Sequence, residues 1–549
     1  MKKMKKILAF VMAMAMVLGM SVTALADPAP TQMPSATVTV KNVAINLVPK
    51  VGGQEGETED TVKVTAYQVI KYDLKGEYIR LKDGNPSNME APTAEEMWAL
   101  AKEIASDQAK EENQRTYKEV SLTKSDAAEG ATTTNYTATL DAGMWLILIK
   151  GAGDTIYNPM VASVVVGPDK TTGGTVDASG KFKPGNQELY AKSSTPELEK
   201  TTTDSTFEIN DDINFVVNAQ IPDYGSNYET VMFIITDELS GGLEYDKENV
   251  TVTIKAAKTD TTGTVLTGGD APQVTPVFSE NDTKMKIEIP SNIVLANTTK
   301  YVVVEYKAKL TDVAKAGLDD AVNETKNNVK VEYSNNPLNS DEKATKETET
   351  KQYTFGLNAL LNGTDITKNF IKVEKDKVEE GEEQTYTALG GAEFELVKKN
   401  AEGEYVKITN IANDTTDGNG VASFVGLEGN VEYYLHEVSA PEGYTVEDRY
   451  VKVYIEPTIT NGILESYKIT VGEASDTLGG EHAMTYQWND TTKVSTEPDV
   501  KNPYNFVNTK LASLPSTGGI GTTIFTIGGC AIMIVAAGLF FASRRKSAK

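Results

Sequence analysis

Apolar and polar residues alternate along most of this chain. Runs such as Ala36-Thr-Val-Thr-Val-Lys-Asn-Val, Thr61-Val-Lys-Val-Thr-Ala-Tyr and Lys300-Tyr-Val-Val-Val-Glu-Tyr-Lys are rich in Val, Thr and Tyr, with Gly, Asn and Asp between the runs. A period of two puts alternate side chains on opposite faces of a strand, so each run predicts a strand with one buried face, and the intervening residues predict turns. At about 160 residues per segment, the body has the length for three tandem immunoglobulin-like β-sandwiches, an all-β fold. A single helix stands out. Thr93-Ala-Glu-Glu96 is a capping box, in which side chains at the two ends of the first turn satisfy each other's free amides, and it predicts a helix from Ala94 to about Ala105.

The two ends break the period. Lys2, Lys3, Lys5 and Lys6 precede an apolar run from Ile7 to about Met20, followed by Ala24-Leu25-Ala26. That three-part pattern predicts an export signal, residues 1–26, cleaved at Ala26. At the other end, Leu514-Pro515-Ser516-Thr517-Gly518 precedes an apolar stretch from Ile520 to Ala542 and the cluster Arg544-Arg545-Lys546. The stretch is long enough to cross a bilayer, and the basic cluster holds its end on the cytoplasmic side. Shifts of composition divide the rest. Residues 27–35 form a Pro-rich linker, and segments 36–192, 193–349 and 350–512 follow, before the terminal 513–549.

Composition then removes several classes of function. The end segments 1–26 and 518–549 hold eight Lys/Arg and no Asp/Glu, so without them the net charge falls from −25 to −33. Such an acidic surface repels nucleic acid and keeps the chain soluble. The lone cysteine, Cys530, lies in the apolar stretch, so the exported part has no disulfide although its compartment permits one. With two histidines, His436 and His482, and no exported cysteine, neither a zinc site nor a cofactor is expected. Nor is an enzyme, because no G-x-S-x-G, H-E-x-x-H or Cys/His nucleophile pair occurs there.

The carboxyl-terminal order of motif, apolar span and basic tail resembles the LPxTG cell-wall sorting signal of Gram-positive surface proteins. The resemblance implies that a sortase recognises Leu514 and Pro515, attacks the bond between Thr517 and Gly518, and passes Thr517 to an amine. The precursor would be held by its helix, and the product would be secreted and anchored to peptidoglycan.

Within the body, three carboxyl or amide side chains fall on apolar faces. Glu437 shares a strand face with Tyr433 and Leu435, Asp237 with Phe233 and Ile235, and Asn327 with Val329, Val331 and Tyr333. A lone buried carboxylate is costly and stays protonated unless paired. The segment from Tyr433 to Tyr444 matches Y-x-L-x-E-x-x-A-P-x-G-Y, a pattern of CnaB-type domains in Gram-positive pilins and adhesins. Phe370-Ile-Lys372 and Phe506-Val-Asn508 resemble that family's opening and closing strands. The resemblance implies that Lys372 and Asn508, on adjacent core strands, condense to an isopeptide bond with loss of ammonia, assisted by Glu437. About ten extra residues precede Lys372, which leaves Lys368 and Lys375 as alternatives. Lys200, Asp237 and Asn327, with Tyr333-Ser-Asn-Asn-Pro337, similarly resemble the middle, CnaA-like domain of three-domain backbone pilins. Asn328 is the alternative there, with a parity that points outward. The first segment, CnaB-like by the same resemblance, shows no such triad.

Backbone pilins of this family carry a Tyr-Pro-Lys element ending their first domain. Tyr190-Ala191-Lys192 occupies the corresponding place, eight residues before Lys200, with alanine for proline. The implied function is the shaft subunit of a covalent pilus, with Thr517 of one subunit joined to Lys192 of the next. The implied partners are identical subunits head to tail, pilin-class and housekeeping sortases, minor tip and base pilins, and peptidoglycan, with the host ligand left open. The alternative is a monomeric wall-anchored adhesin built from the same modules.

Overall fold

The computed structural model describes residues 33–50, 57–73, 77–81, 93–151, 153–166, 174–176, 182–184, 186–225, 228–269, 271–311, 321–336, 342–361, 365–496, 498, 501–511 and 521–546. Contacts divide the chain into two compact units. One comprises Met1–Asp204, Asp211–Thr311 and Thr325–Gln352; the other comprises Ser205–Asn210, Asp312–Glu324 and Tyr353–Lys549. The fold is all-β, as the alternation predicts, with immunoglobulin-like pairs of sheets.

In the first unit, β1 (Ser35–Ala44), β2 (Lys63–Tyr72), β3 (Thr133–Asp141), β4 (Gly143–Lys150) and β5 (Gln187–Tyr190) build two sheets. β1 runs parallel to β5, with Val38 opposite Gln187, and antiparallel to β3. β2 and β4 pair antiparallel in the other sheet. Alternate residues Ala36, Val38 and Val40 of β1 join Trp145 and Ile147 of β4 in one core. Helix α1 (Ala94–Gln108) starts at the capping box, with Thr93 Oγ1 accepting the Glu96 amide at 3.1 Å and Glu96 Oε2 accepting the Thr93 amide at 2.7 Å. It runs three residues past the expected end at Ala105. The buried Asp107 carboxylate accepts the amides of Thr116 and Tyr117, at 2.8 and 3.2 Å, which ties the last turn to the chain that follows.

The same unit continues with β6 (Leu198–Thr202), β7 (Asp212–Gln220), β8 (Phe233–Leu239), β9 (Lys284–Glu288), β10 (Tyr301–Leu310) and, from Thr325 onward, β11 (Val322–Ser334). One sheet contains β6, β7 and β10 in that order, and another contains β9, β8 and β11.

The second unit holds β12 (Phe370–Lys375), β13 (Glu393–Lys399), β14 (Glu432–Ser439), β15 (Tyr450–Thr460), β16 (Ile463–Gly472), β17 (Glu481–Asn489) and β18 (Tyr504–Asn508). β13 to β17 follow one another in a single antiparallel sheet. β12 lies parallel to β18 in a smaller sheet, joining strands far apart in sequence. Phe370, Phe394, Leu435, Tyr467 and Phe506 share its core. Helix α2 (Gly521–Lys546) is apolar, and Ile524–Arg544 is a 21-residue span of mean hydropathy 2.3, long enough to cross a membrane.

Candidate functional site

Among the described residues, two lysines are buried, Lys200 and Lys372. Each meets a carboxylate and an asparagine. Lys200 lies on β6 and is 7% exposed, Asp237 on β8 is 1% exposed, and Asn327 on β11 is 0% exposed. Register explains the meeting of the last two. Leu239 stands opposite Asn327 and Asp237 opposite Val329, so the acid and the amide share the inner face of adjacent strands. Lys200 reaches them from the other sheet. Its Nζ donates to Asp237 Oδ2 at 2.6 Å and to Asn327 Oδ1. This cluster therefore ties strands of two different sheets, not neighbours in one.

Aromatic residues complete the pocket. The Phe215 and Tyr306 rings stack on each other and lie 5.4 and 5.9 Å from Lys200 Nζ. The hydroxyls of Tyr245 and Tyr306 donate to Asp237 Oδ1 at 2.8 and 2.7 Å, and Asn327 Nδ2 donates to the Tyr306 hydroxyl at 2.7 Å. Burial beside a carboxylate raises both phenols far above their usual range, so both stay protonated as donors. Burial pulls Lys200 down to about 8, against the opposing pull of Asp237. A charged amine here has lost its water and gained only one carboxylate and one carbonyl, so its neutral form is within reach.

In the second cluster, Lys372 on β12 and Asn508 on β18 occupy neighbouring parallel strands, with Lys372 opposite Phe506 and Glu374 opposite Asn508. Glu437 faces them from β14 of the larger sheet. Lys372 Nζ lies 2.8 Å from Glu437 Oε1 and donates to Asn508 Oδ1, while Asn508 Nδ2 donates to the same Glu437 Oε1 at 2.9 Å. The Glu447 amide donates to Glu437 Oε2 at 2.7 Å. Phe506 and Phe394 wall the amine at 4.4 and 5.5 Å, and burial again brings the lysine down to about 8, opposed by Glu437. Lys368, Lys375 and Asn328 are all exposed.

A neutral amine beside a carboxamide is a nucleophile held at its electrophile, and a shared carboxyl can move a proton between them. The arrangement suits a single condensation. Asp237, Glu437 and Asn327 were legible as inward-facing residues and Lys200, Lys372 and Asn508 only through the family resemblance, whereas Tyr245, Tyr306, Phe215 and the Glu447 amide were not expected. Tyr306 had a signal available. It sits on the inward parity of an alternating strand, where a buried hydroxyl must find a partner.

Lys192 is exposed in the turn after β5, and its carbonyl accepts the Asn158 amide at 3.1 Å. Ala26, Leu514, Pro515, Thr517 and Gly518 lie outside the described residues. Among the described residues no group of three or more His, Cys, Asp or Glu is placed to hold a metal ion.

Comparison with known proteins bears on both the second cluster and the chain end. Residues 372–468 match the prealbumin-like fold domain, a span that opens at Lys372 and contains Glu437. Residues 507–549 match the LPXTG cell wall anchor motif. With the apolar α2 behind that motif, the chain is a cell-wall-anchored surface protein, held at the membrane as a precursor, and a sortase substrate. It is similar to the trypsin-resistant surface T6 protein of Streptococcus pyogenes serotype M6, at 24% identity over 456 residues, covering 74% of this chain and 79% of the relative. The solved structure of the T6 backbone pilin, described as modular and three-domain, shares the fold with a TM-score of 0.54 at 16% identity, covering 88% of this chain and all of that one.

Proposed function

We propose that this chain is the shaft subunit of a covalent, sortase-assembled pilus, with three sandwich domains at 36–192, 193–349 and 350–512. Similarity to a backbone pilin over most of both chains supports the shaft role. The observation that carries the chemistry is that the two buried lysines each touch an asparagine carbonyl and a carboxylate.

In each cluster the lysine gives a proton to the carboxylate, and the neutral Nζ attacks the asparagine Cγ. The protonated acid polarises the carbonyl, and the second amine proton is relayed to the departing nitrogen. One N–C bond forms, one breaks, and one ammonia leaves. Asp237 serves Lys200 and Asn327; Glu437 serves Lys372 and Asn508. Sortase then joins Thr517 of one subunit to Lys192 of the next, a head-to-tail linkage that does not close and so grows a fibre.

Two measurements test this. The intact mass of the exported chain should be low by two ammonias, and full mass would refute both bonds. Coexpressed with its sortase, the chain should give a ladder on a denaturing gel that Lys192→Ala abolishes. A single wall-linked band would instead indicate a monomeric anchored adhesin.

A further inference from the structure

The chain leaves the second unit through a clamp. After Asn508, the Thr509 carbonyl accepts the backbone amide and the hydroxyl of Thr445, at 3.0 and 3.1 Å. Tyr444 and Lys510 form an antiparallel bridge, and the Leu511 amide donates to the Gly443 carbonyl at 2.9 Å. Side chains hold Lys510 in the same place. Lys510 Nζ lies 2.6 Å from Glu374 Oε1 and 5.8 Å from the centre of the Tyr444 ring, and the Tyr444 hydroxyl donates to Glu374. Leu511 and Val446 keep apolar side chains exposed beside this bridge.

Only Ala512 and Ser513 separate the clamped Leu511 from Leu514. Three residue steps span at most about 11 Å of extended chain. A domain-sized enzyme has a radius of gyration of about 13 Å, so one that encloses the motif as far as Thr517 must bring its rim onto this face. We infer that the end face formed by Glu374, Gly443–Val446 and Lys510–Leu511 is a docking surface for the sortase, which reads the folded domain together with the LPSTG peptide. The clamp residues are positioning residues that fix where Leu511 leaves the domain, three residue steps before the motif. The inference rests on the sorting-motif match and is independent of the polymer reading.

The test compares three substrates for a sortase of the producing cell, with hydroxylamine as nucleophile so that Lys192 takes no part. They are the whole precursor in detergent, a free peptide carrying LPSTG, and a precursor with about six Gly/Ser residues inserted between Leu511 and Ala512. Cleavage of the peptide establishes the motif by itself. Docking predicts a kcat/KM for the precursor about tenfold above the peptide, falling to near the peptide value with the spacer. Lys510→Ala combined with Tyr444→Phe should give an intermediate loss. Equal values for all three substrates, or a precursor slower than its spacer variant, would overturn the surface while leaving the motif intact. A spacer effect seen only with a second precursor as acceptor would assign the face to a neighbouring copy instead.

Discussion

At Lys200 and Lys372 the decisive quantity is where one proton sits. An ammonium beside a carboxylate and an amine beside a carboxylic acid carry the same number of protons, so moving between them needs no exchange with solvent. Bond formation in newly folded, unlinked chain should therefore fall as the pH rises through about 8, where the lysine, pulled down by burial, loses the shared proton. Timed intact-mass measurements check this, and a rate that climbs through pH 8 would show that the carboxyl is not the proton donor. The tyrosines make a second prediction. Tyr306→Phe leaves Asn327 Nδ2 without its acceptor and Asp237 Oδ1 with one phenol donor instead of two. In the unlinked chain this should cost about 1–3 kcal/mol in urea unfolding and slow ammonia loss from the fragment containing Lys200.

At the scale of elements, alternation fixes parity and no more. It put Asp237, Asn327 and Glu437 on inner faces and turned Asn328 outward, because side-chain direction in a strand has a period of two. It did not choose among Lys368, Lys372 and Lys375. That choice depends on where the extra residues before β12 return to the sheet, which is set by contacts distant in sequence. Asn358 and Asn369 make those contacts, with Asn358 Oδ1 accepting the amides of Asn369 and Phe370 at 2.6 and 3.0 Å. Gly420 sets the other side of β12. Its carbonyl accepts the Lys372 amide at 2.7 Å, its φ is +74°, and a Cβ there would stand 2.3 Å from the Lys372 carbonyl oxygen. Gly420→Ala should lower the linked fraction in the C-terminal fragment and leave the Lys200 cluster linked, as read by peptide masses after digestion.

For the whole molecule, the consequence of the proposed bonds is mechanical. Tension between Thr517 and Lys192 would pass through both clusters. A covalent bond between β12 and β18, or between β6 and β11, stops each segment from paying out chain and restricts its unfolded state as a disulfide would. Glu437→Ala should lower the melting temperature of the C-terminal segment by about 5 °C or more and open it to trypsin. Asp237→Ala should expose the segment around Lys200 instead. Unchanged digestion in either variant would contradict the stabilising role.

The sequence by itself determined the all-β class, the helix start at Thr93, the anchored carboxyl end and the inward parity of Asp237, Glu437 and Asn327. Each of these is written in local periodicity or in a contiguous motif. Only the tertiary structure decided that Lys200 crosses from one sheet to reach Asn327 on another. The same is true of the parallel pairing that brings Lys372 to Asn508, the phenols that gather on Asp237, and the Gly443–Thr445 turn that grips the chain before the sorting motif. Those contacts join residues far apart in the chain, and their partners are set by packing and register, which no local pattern encodes.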